Sequence, residues 1–257
     1  MSIMNYGISN LAIVPMRNEA ADQSEMVNQV IFGEHFKVLE IRKKWSKIRL
    51  AHDSYEGWIC NKQWIEIEED IYKQLDKEVA TITTDILDII KKNHHQPIVI
   101  GSILPSYKSG HALINNEMYK FDGLTTPGFI KKDKLVENAL IYLNAPYLWG
   151  GRSPLGIDCS GFTQMVYRLQ GVDLPRDAYQ QAEVGTTLSF VEESEPGDLA
   201  FFDNTEGKIT HVGIILEDNH IIHAAGKVRI DRIDQQGIFN TEIGNHTHKL
   251  RLIKSIC

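Results

Sequence analysis

One cysteine lies where a glycine-rich loop passes into an amphipathic helix, within YLWGGRSPLGIDCSGF at residues 147–162. The apolar residues that follow it recur at helical spacing: Phe162, Met165, Val166 and Leu169. Gly171 is a typical stop signal for such a helix. A thiol in the first turn of a helix lies at the positive end of the dipole, which lowers its pKa. We therefore predict that Cys159 is a catalytic thiolate.

The length, composition and charge of the chain limit its number of domains and its partners. Its 257 residues are enough for about two domains, and 42% hydrophobic with 24% charged residues is typical of a globular chain. The net charge is −7, without a long basic run, so we expect no nucleic-acid partner. We expect a monomer.

The three cysteines, Cys60, Cys159 and Cys257, are far apart and form no CxxC pair. This spacing argues against a disulfide framework and against a structural zinc site, so we expect no metal and no cofactor. Cys60 and Cys257 are interpreted as small buried apolar residues.

Residues 1–23 lack the basic segment and apolar core of a secretory signal, and the sequence shows no apolar stretch of membrane-spanning length. We therefore expect a cytoplasmic protein without a membrane partner.

Short alternating segments in residues 1–65 predict a small all-β barrel: 30–34, 36–41, 45–50 and 57–60. Residues 66–128 are less regular. There, His111–Ile114 and Glu117–Phe121 flank Asn115-Asn116, a hairpin signal, and we predict a second small β domain. Turn residues cluster at 125–128, where we place the domain boundary.

Residues 129–257 predict an α+β domain. A helix at 131–144 and the Cys159 helix come first, and strands follow at 198–202, 209–216, 220–225, 228–230 and 250–253. This order is expected to give helices packed on an antiparallel sheet.

Two histidines fall on neighbouring strands of that sheet. A three-residue turn at 217–219 would place His223 opposite Gly213 and diagonal to His211, on one face. Cysteine needs a base near neutral pH, and histidine is the usual one. A thiol, a histidine and a second residue that orients the histidine make a triad.

The segments PYLWGGRSPLGIDCSGF, THVGI and IIHAA resemble the NlpC/p60 family of cysteine peptidases, in the family's order. The resemblance covers about residues 130–257 and implies a papain-like fold with a reordered chain. It implies that Cys159 is the nucleophile, His211 the general base and His223 its orienting residue. Tyr147 would join the Cys159 N–H in holding the oxyanion.

The N-terminal segments EMVNQVIFGEHFKVLE and WSKIRLAHDSYEGWI resemble a bacterial SH3-like domain. Together with the NlpC/p60 resemblance, they imply an enzyme that cuts γ-D-glutamyl–diamino acid bonds in murein peptides with a free N-terminal L-alanine. Glu25, Tyr55, Asp158 and Ser160 would bind the substrate's ammonium group. Asp158 is equally suited to cap the helix.

Three further residues are implied to bind substrate. Trp149 would wall the pocket, and Arg176 and Asp177, in LPRDAYQQ, match another family motif near the cleft. Ala178 stands where some relatives carry serine. Two other functions stay open: an exported hydrolase of intact wall stems, and an inactive protein that binds wall peptides.

Overall fold

The computed structural model describes residues 5–127 and 132–256. The chain divides into two compact units, residues 1–129 and 130–257, which are described separately below. The predicted boundary at 125–128 ends just outside the first described range. Cys257 also lies outside the described residues. Within these ranges, each helix is too short or too polar to cross a membrane.

The first unit begins with an antiparallel sheet in the order β3-β2-β6-β5-β4-β1-β7. Its strands are β1 (Asn5–Ile8), β2 (Ile13–Arg17), β3 (Met26–Ile31), β4 (His35–Ile41), β5 (Trp45–Leu50), β6 (Glu56–Cys60) and β7 (Ile65–Ile67). Alternating residues of β4 and β5, such as Phe36 and Ile48, point into one core with Val14 and Val30. Cys60, expected in the core, is only half-buried because it ends its strand.

The rest of this unit is one short helix and two small sheets, in the orders β10-β9-β13-β12 and β11-β8-β14. The elements are α1 (Glu69–Leu75), β8 (Thr81–Thr83), β9 (Leu87–Lys91), β10 (His95–Val99), β11 (Ile103–Leu104), β12 (His111–Ile114), β13 (Glu117–Phe121) and β14 (Thr125–Thr126). The predicted hairpin is present, and Asn115 turns it with φ 54°. Ile90 and Ile98 share one core with Ile8 and Phe32 of the first sheet. The separation of residues 66–128 as an independent domain stays a prediction.

The second unit combines helices with an antiparallel sheet in the order β17-β23-β18-β19-β20-β21-β22. Its elements are α2 (Lys132–Ile141), β15 (Arg152–Ser153), β16 (Gly156–Ile157), α3 (Cys159–Arg168), α4 (Ala178–Gln181), β17 (Thr186–Leu188), a 3-10 turn (Val191–Glu193), β18 (Leu199–Asp203), β19 (Ile209–Leu216), β20 (His220–Ala225), β21 (Lys227–Asp234), β22 (Gly237–Asn240) and β23 (Asn245–Ser255). Because β22 also pairs with β23, the six strands from β18 to β23 close into a barrel.

Helix α3 is the buried element of this unit. Every one of its residues is buried, and Phe162, Met165 and Val166 are fully enclosed. The helix packs on β19 and β20, and the Phe162 ring meets Tyr142 edge-on at 5.8 Å between centroids. A helix packed on all sides holds its N-terminus at a defined position on the sheet, and Cys159 is its first residue.

Candidate active site

The β19–β20 hairpin places two histidines beside each other, in the register that the sequence predicted. His223 pairs with Gly213, and Leu216 pairs with His220 across the three-residue turn. Asp218 and Asn219 adopt the left-handed conformation that closes it, with φ 53° and 55°. A Cβ at Gly213 would lie 2.9 Å from the His223 Cβ, so glycine is needed for this close approach.

A chain of hydrogen bonds joins the two histidines to a carboxylate. Nε2 of His211 lies 2.8 Å from Nδ1 of His223, and Nε2 of His223 lies 3.0 Å from Oδ2 of Asp231. Arg229 donates to both Asp231 oxygens, at 2.7 and 2.9 Å. Burial raises the pKa of Asp231, but hydrogen bonds from His223 and Arg229 bring it below its ordinary value, so the carboxylate is ionised.

This chain determines which nitrogen of each ring carries a proton. The ionised Asp231 can only accept, so His223 donates to it through Nε2, and in this tautomer Nδ1 of His223 is an acceptor. His211 must therefore donate through Nε2, which leaves Nδ1 as the acceptor nitrogen of its ring. Burial, with His223 and His248 nearby, lowers the pKa of His211 well below its ordinary value, so this ring is neutral.

Sequence reasoning missed Asp231 and Arg229. The predicted strand ended at Ile230, whereas β21 continues to Asp234. In the backbone register of β20 and β21, His223 lies opposite Arg229, and Asp231 lies two residues beyond Arg229 on β21. The signal that could have found it was period-2 alternation along VRIDRID, which puts Arg229 and Asp231 on one face.

The Cys159 thiol lies against β19, at the backbone of the residues on either side of His211. Its sulfur is 3.9 Å from the Thr210 carbonyl oxygen. The predicted lowering of its pKa is wrong for the unliganded protein. Burial, together with the negative charge of Asp158, raises the pKa of the Cys159 thiol to about 12. The backbone N–H groups of Val212 and Ser160 and the positive charge of Arg176 lower this pKa by smaller amounts. The thiol is thus neutral, and its activation requires proton transfer to a base.

Tyr147 is half-buried near the same thiol. Burial, together with Cys159 and Asp158, raises the pKa of Tyr147 to about 12, so its hydroxyl stays protonated and can donate. Its N–H donates to the Gly226 carbonyl at 3.0 Å, which ties the loop to the β20–β21 turn. The predicted oxyanion contact of Tyr147 stays a prediction.

Asp158 is the N-cap of α3 and the centre of a buried polar cluster. Its Oδ1 accepts from the Gly161 N–H at 2.7 Å, and its Oδ2 accepts from the Gly150 N–H at 2.8 Å. Arg176 donates to both oxygens, at 3.0 and 2.5 Å, and also to the Ser160 hydroxyl at 2.9 Å. The capping role considered for Asp158 is therefore present. The substrate roles predicted for Asp158, Ser160 and Arg176 stay predictions.

Four other predicted residues have the following surroundings. Asp177 is the N-cap of α4, where Oε1 of Gln180 accepts from its N–H at 3.2 Å. Trp149 is exposed over 58% of its surface. In the first unit, Glu25 lies on the exposed segment before β3, and Tyr55 packs beside the sheet core after the turn at Asp53. Their substrate roles stay predictions.

His248 is a third histidine at this site, and sequence reasoning missed it. It projects from β23, and its ring stacks on His211 with 4.2 Å between centroids. Burial, with His223 next to it, lowers the pKa of His248 to about 4, so it is neutral. The predicted strand at 250–253 was too short to include it, because β23 begins at Asn245.

A thiol at the N-terminus of a buried helix, packed on the strand that carries a histidine bonded to a second histidine, is an arrangement typical of thiol-dependent acyl-transfer enzymes. Residues 144–245 match the NlpC/P60 family model, and residues 16–63 match the bacterial dipeptidyl-peptidase SH3 domain. The chain therefore contains an NlpC/P60 domain, whose family consists of cysteine peptidases, and it carries a bacterial SH3 domain before it.

Curated relatives span both domains. A γ-D-glutamyl-L-lysine dipeptidyl-peptidase of Bacillus cereus is 27% identical over 232 residues, covering 78% of this chain and 68% of its own. Dipeptidyl-peptidase 6 of Lysinibacillus sphaericus is 27% identical and covers 88% of this chain and 92% of its own. The crystal structure of an NlpC/P60 family protein from Bacillus cereus matches with a TM-score of 0.81 at 19% identity, covering 98% of this chain and 99% of its own. The folds of both units thus occur in that protein.

Proposed function

We propose that this enzyme hydrolyses the γ-D-glutamyl–diamino acid bond of murein peptides that carry a free N-terminal L-alanine, releasing L-Ala-γ-D-Glu. The names of the relatives from Bacillus cereus and Lysinibacillus sphaericus support a cell-wall peptide substrate and a dipeptidyl product. The SH3 model that matches residues 16–63 is named for bacterial dipeptidyl-peptidases.

The observation that carries the chemistry is the chain from Asp231 through His223 to His211. It leaves Nδ1 of His211 as the acceptor for the Cys159 proton. The sulfur then attacks the γ-carbonyl carbon of D-glutamate, and the oxyanion accepts hydrogen bonds from the Tyr147 hydroxyl and the Cys159 N–H. His211 returns the proton to the leaving amine of the diamino acid. Water, deprotonated by the same nitrogen, then hydrolyses the thioester.

The neutral thiol and the neutral histidine are consistent with this order of events. Burial holds both groups uncharged before substrate binds. Proton transfer then accompanies attack, when the negative charge passes from sulfur to an oxygen that two donors can stabilise. Asp231 stabilises the imidazolium that forms, through His223.

Specificity for a free amine is proposed to come from Glu25, Tyr55, Asp158 and Ser160. A carboxylate attracts an ammonium group, and a peptide with a blocked amine has no such charge to offer. Trp149, Arg176 and Asp177 complete the proposed substrate site. Arg176 would do so by orienting the Asp158 carboxylate, to which it is hydrogen-bonded.

The proposal extends to the cell. We infer a role in recycling of murein peptides in the cytoplasm and a papain-like arrangement of the catalytic unit. Cell fractionation with an antibody to the protein tests the location. A peptide pool that accumulates in a deletion strain tests the role.

The direct test uses tripeptides. The purified enzyme is incubated with L-Ala-γ-D-Glu-meso-diaminopimelate and L-Ala-γ-D-Glu-L-Lys, and L-Ala-γ-D-Glu is measured by mass spectrometry. We expect release of the dipeptide from at least one peptide and none with Cys159→Ala. N-acetylated versions serve as controls. Equal cleavage of blocked and unblocked peptides would contradict the free-amine specificity, and no cleavage of either would contradict the proposed substrate.

A further inference from the structure

Three histidine rings converge at one end of the barrel, on three different strands. They are His211 on β19, His223 on β20 and His248 on β23. One nitrogen of each ring lies within 4.8 Å of the corresponding nitrogen of the other two. The peptidase chemistry uses the first two rings and gives the third no role.

The hydrogen bonds of these rings determine which nitrogens can offer a lone pair to a metal ion. The Thr247 hydroxyl donates to the Ile238 carbonyl at 3.4 Å, and its oxygen lies 2.8 Å from Nδ1 of His248. In the tautomer whose Nδ1–H donates to that oxygen, Nε2 of His248 carries a lone pair. Nδ1 of His223 carries another, because the proton of this ring lies on Nε2 and is donated in a hydrogen bond to Asp231.

These donors match a transition-metal site. Imidazole nitrogens suit Zn²⁺, Cu²⁺ and Ni²⁺, and three of them leave the fourth tetrahedral position open. A carboxylate behind a ligating histidine is the usual outer partner in such sites, and Asp231 stands in that position behind His223. Nitrogens bound to one zinc ion lie about 3.3 Å apart. Nε2 of His211 and Nδ1 of His223 are 2.8 Å apart, which is already within this distance. The ring of half-exposed His248 has to move closer to these two nitrogens.

We propose that His211, His223 and His248 form an inhibitory site for a divalent transition-metal ion, Zn²⁺ above all. The ion binds Nε2 of His211, Nδ1 of His223 and Nε2 of His248. The proton of His211 Nε2 moves to its Nδ1, so the ring stays neutral and no proton is lost. Nδ1 can then no longer accept the Cys159 proton, and the peptidase is switched off while the metal is bound.

The first test measures metal binding without turnover. Zn²⁺ is titrated into metal-free Cys159→Ala protein in competition with a colorimetric chelator, because this variant removes the thiol as a ligand. We expect one zinc ion per chain. Introducing His248→Gln into the Cys159→Ala protein is expected to weaken zinc binding at least about tenfold. Introducing Asp231→Asn into the same protein is expected to weaken zinc binding by about ten- to a hundredfold.

His246→Gln is the matched control. His246 is an exposed histidine on the same strand, two residues away, and pairs with Asp234. It is expected to leave zinc affinity within about twofold of the parent. Equal zinc affinity in the His248 and His246 variants would overturn the proposal. So would absence of stoichiometric zinc binding in the Cys159→Ala protein.

A second measurement does not depend on the folding of a His248 variant. Co²⁺ is added to Cys159→Ala protein with labelled histidine, and ring resonances are followed by NMR. We expect the resonances of His211, His223 and His248 to be broadened or shifted first, with those of His220 and His246 unaffected. Any other histidine set contradicts the site. These binding readouts are independent of whether the proposed peptide is the substrate.

Inhibition is the functional consequence. With whichever peptide the enzyme cleaves, micromolar Zn²⁺ is expected to abolish turnover reversibly, and a chelator to restore it. His248→Gln should raise the zinc concentration for half inhibition at least about tenfold relative to its own metal-free rate. Inhibition at an unchanged zinc concentration would show that the metal acts elsewhere, such as on the Cys159 thiol alone.

Discussion

At the scale of single residues, Asp231 determines which nitrogen of His211 carries a proton, and it does so through His223. Its ionised carboxylate fixes the proton of His223, and His223 fixes the proton of His211. A histidine base is useful only if the nitrogen next to the thiol is unprotonated. In the proposed mechanism, Asp231 is therefore a positioning residue that acts through two hydrogen bonds on the acceptor nitrogen of His211.

The first prediction concerns Asp231→Asn. Arg229 donates to both carboxylate oxygens, so an amide nitrogen at either position would face a donor and disrupt the chain. We expect kcat to fall by about a hundredfold or more, with little change in KM, because only the proton acceptor is lost. Steady-state kinetics measure this. Asp234→Asn, on the same strand but paired with exposed His246, is the control and should remain near wild type.

The second prediction concerns Tyr147→Phe. If the hydroxyl donates to the oxyanion, its removal lowers kcat by about 10²- to 10³-fold. The pKa of Tyr147 is raised to about 12, so the donor form persists through the neutral and mildly alkaline range. The ratio of wild-type to variant kcat should then be constant between about pH 6 and pH 9. A ratio that falls toward alkaline pH would show that the hydroxyl ionises there and has another role.

Some of these residues could be predicted from sequence and others could not. The spacing between His211 and His223, with a three-residue turn, was enough to make them neighbours on one face. His248 is 25 residues beyond His223 by simple counting, and β23 lies near β19 because β18 pairs with both strands. No local pattern reports such long-range pairing. The thiol pKa was wrong because the helix dipole is local, whereas burial depends on the whole unit.

At the scale of elements, α3 has Gly161 in its first turn, although glycine has a low helix propensity. A Cβ at Gly161 would lie 2.3 Å from the Gly151 carbonyl oxygen and 2.9 Å from Oδ1 of Asp158. The glycine thus lets the helix N-terminus approach the loop that precedes it. The same N–H that Asp158 caps belongs to Gly161, so cap and close approach occur at one residue.

The third prediction is that Gly161→Ala destabilises the protein. Alanine favours an α-helix by about 1 kcal/mol over glycine, but the clash with backbone should cost more. We expect a net loss of about 1–3 kcal/mol in the free energy of unfolding, measured by urea titration with circular dichroism. Glu137→Ala, exposed in α2, is the control and should stay within about 0.5 kcal/mol of wild type. A more stable Gly161→Ala protein would contradict this account.

The strands show which parts of the sheet can be predicted from sequence patterns and which cannot. β19 and β20 were predicted with their full bounds, because their apolar runs end at clear turns. β22 was missed, since GIFN is too short to show a period. Without β22, the sheet is expected to be open, whereas pairing of β22 with β23 closes it. In the first unit, the core that Ile90 shares with Phe32 was equally invisible, because it joins segments far apart in sequence.

At the scale of the whole molecule, the proposed specificity requires both units of the chain. Cys159, Asp158 and Ser160 belong to the second unit, whereas Glu25 and Tyr55 belong to the first. The relatives that match along most of this chain include both parts. A peptidase that works on a free amine is therefore proposed to need residues of its SH3-like domain for recognition, though not for bond cleavage.

The fourth prediction separates recognition from cleavage. Glu25→Gln and Tyr55→Phe are each expected to lower kcat/KM for L-Ala-γ-D-Glu-L-Lys by about ten- to a hundredfold, the value of a hydrogen bond to a charged group. Because the N-acetylated peptide has no ammonium group to bind, its slow cleavage should change by less than about twofold. The quantity measured is the ratio of kcat/KM for the two peptides. Glu40→Gln, an exposed acid of the same unit that pairs with Arg42, is the control. If the ratio is the same in all three variants and the wild type, residues of the first unit do not recognise the amine, and the cleavage chemistry at Cys159 and His211 stands without them.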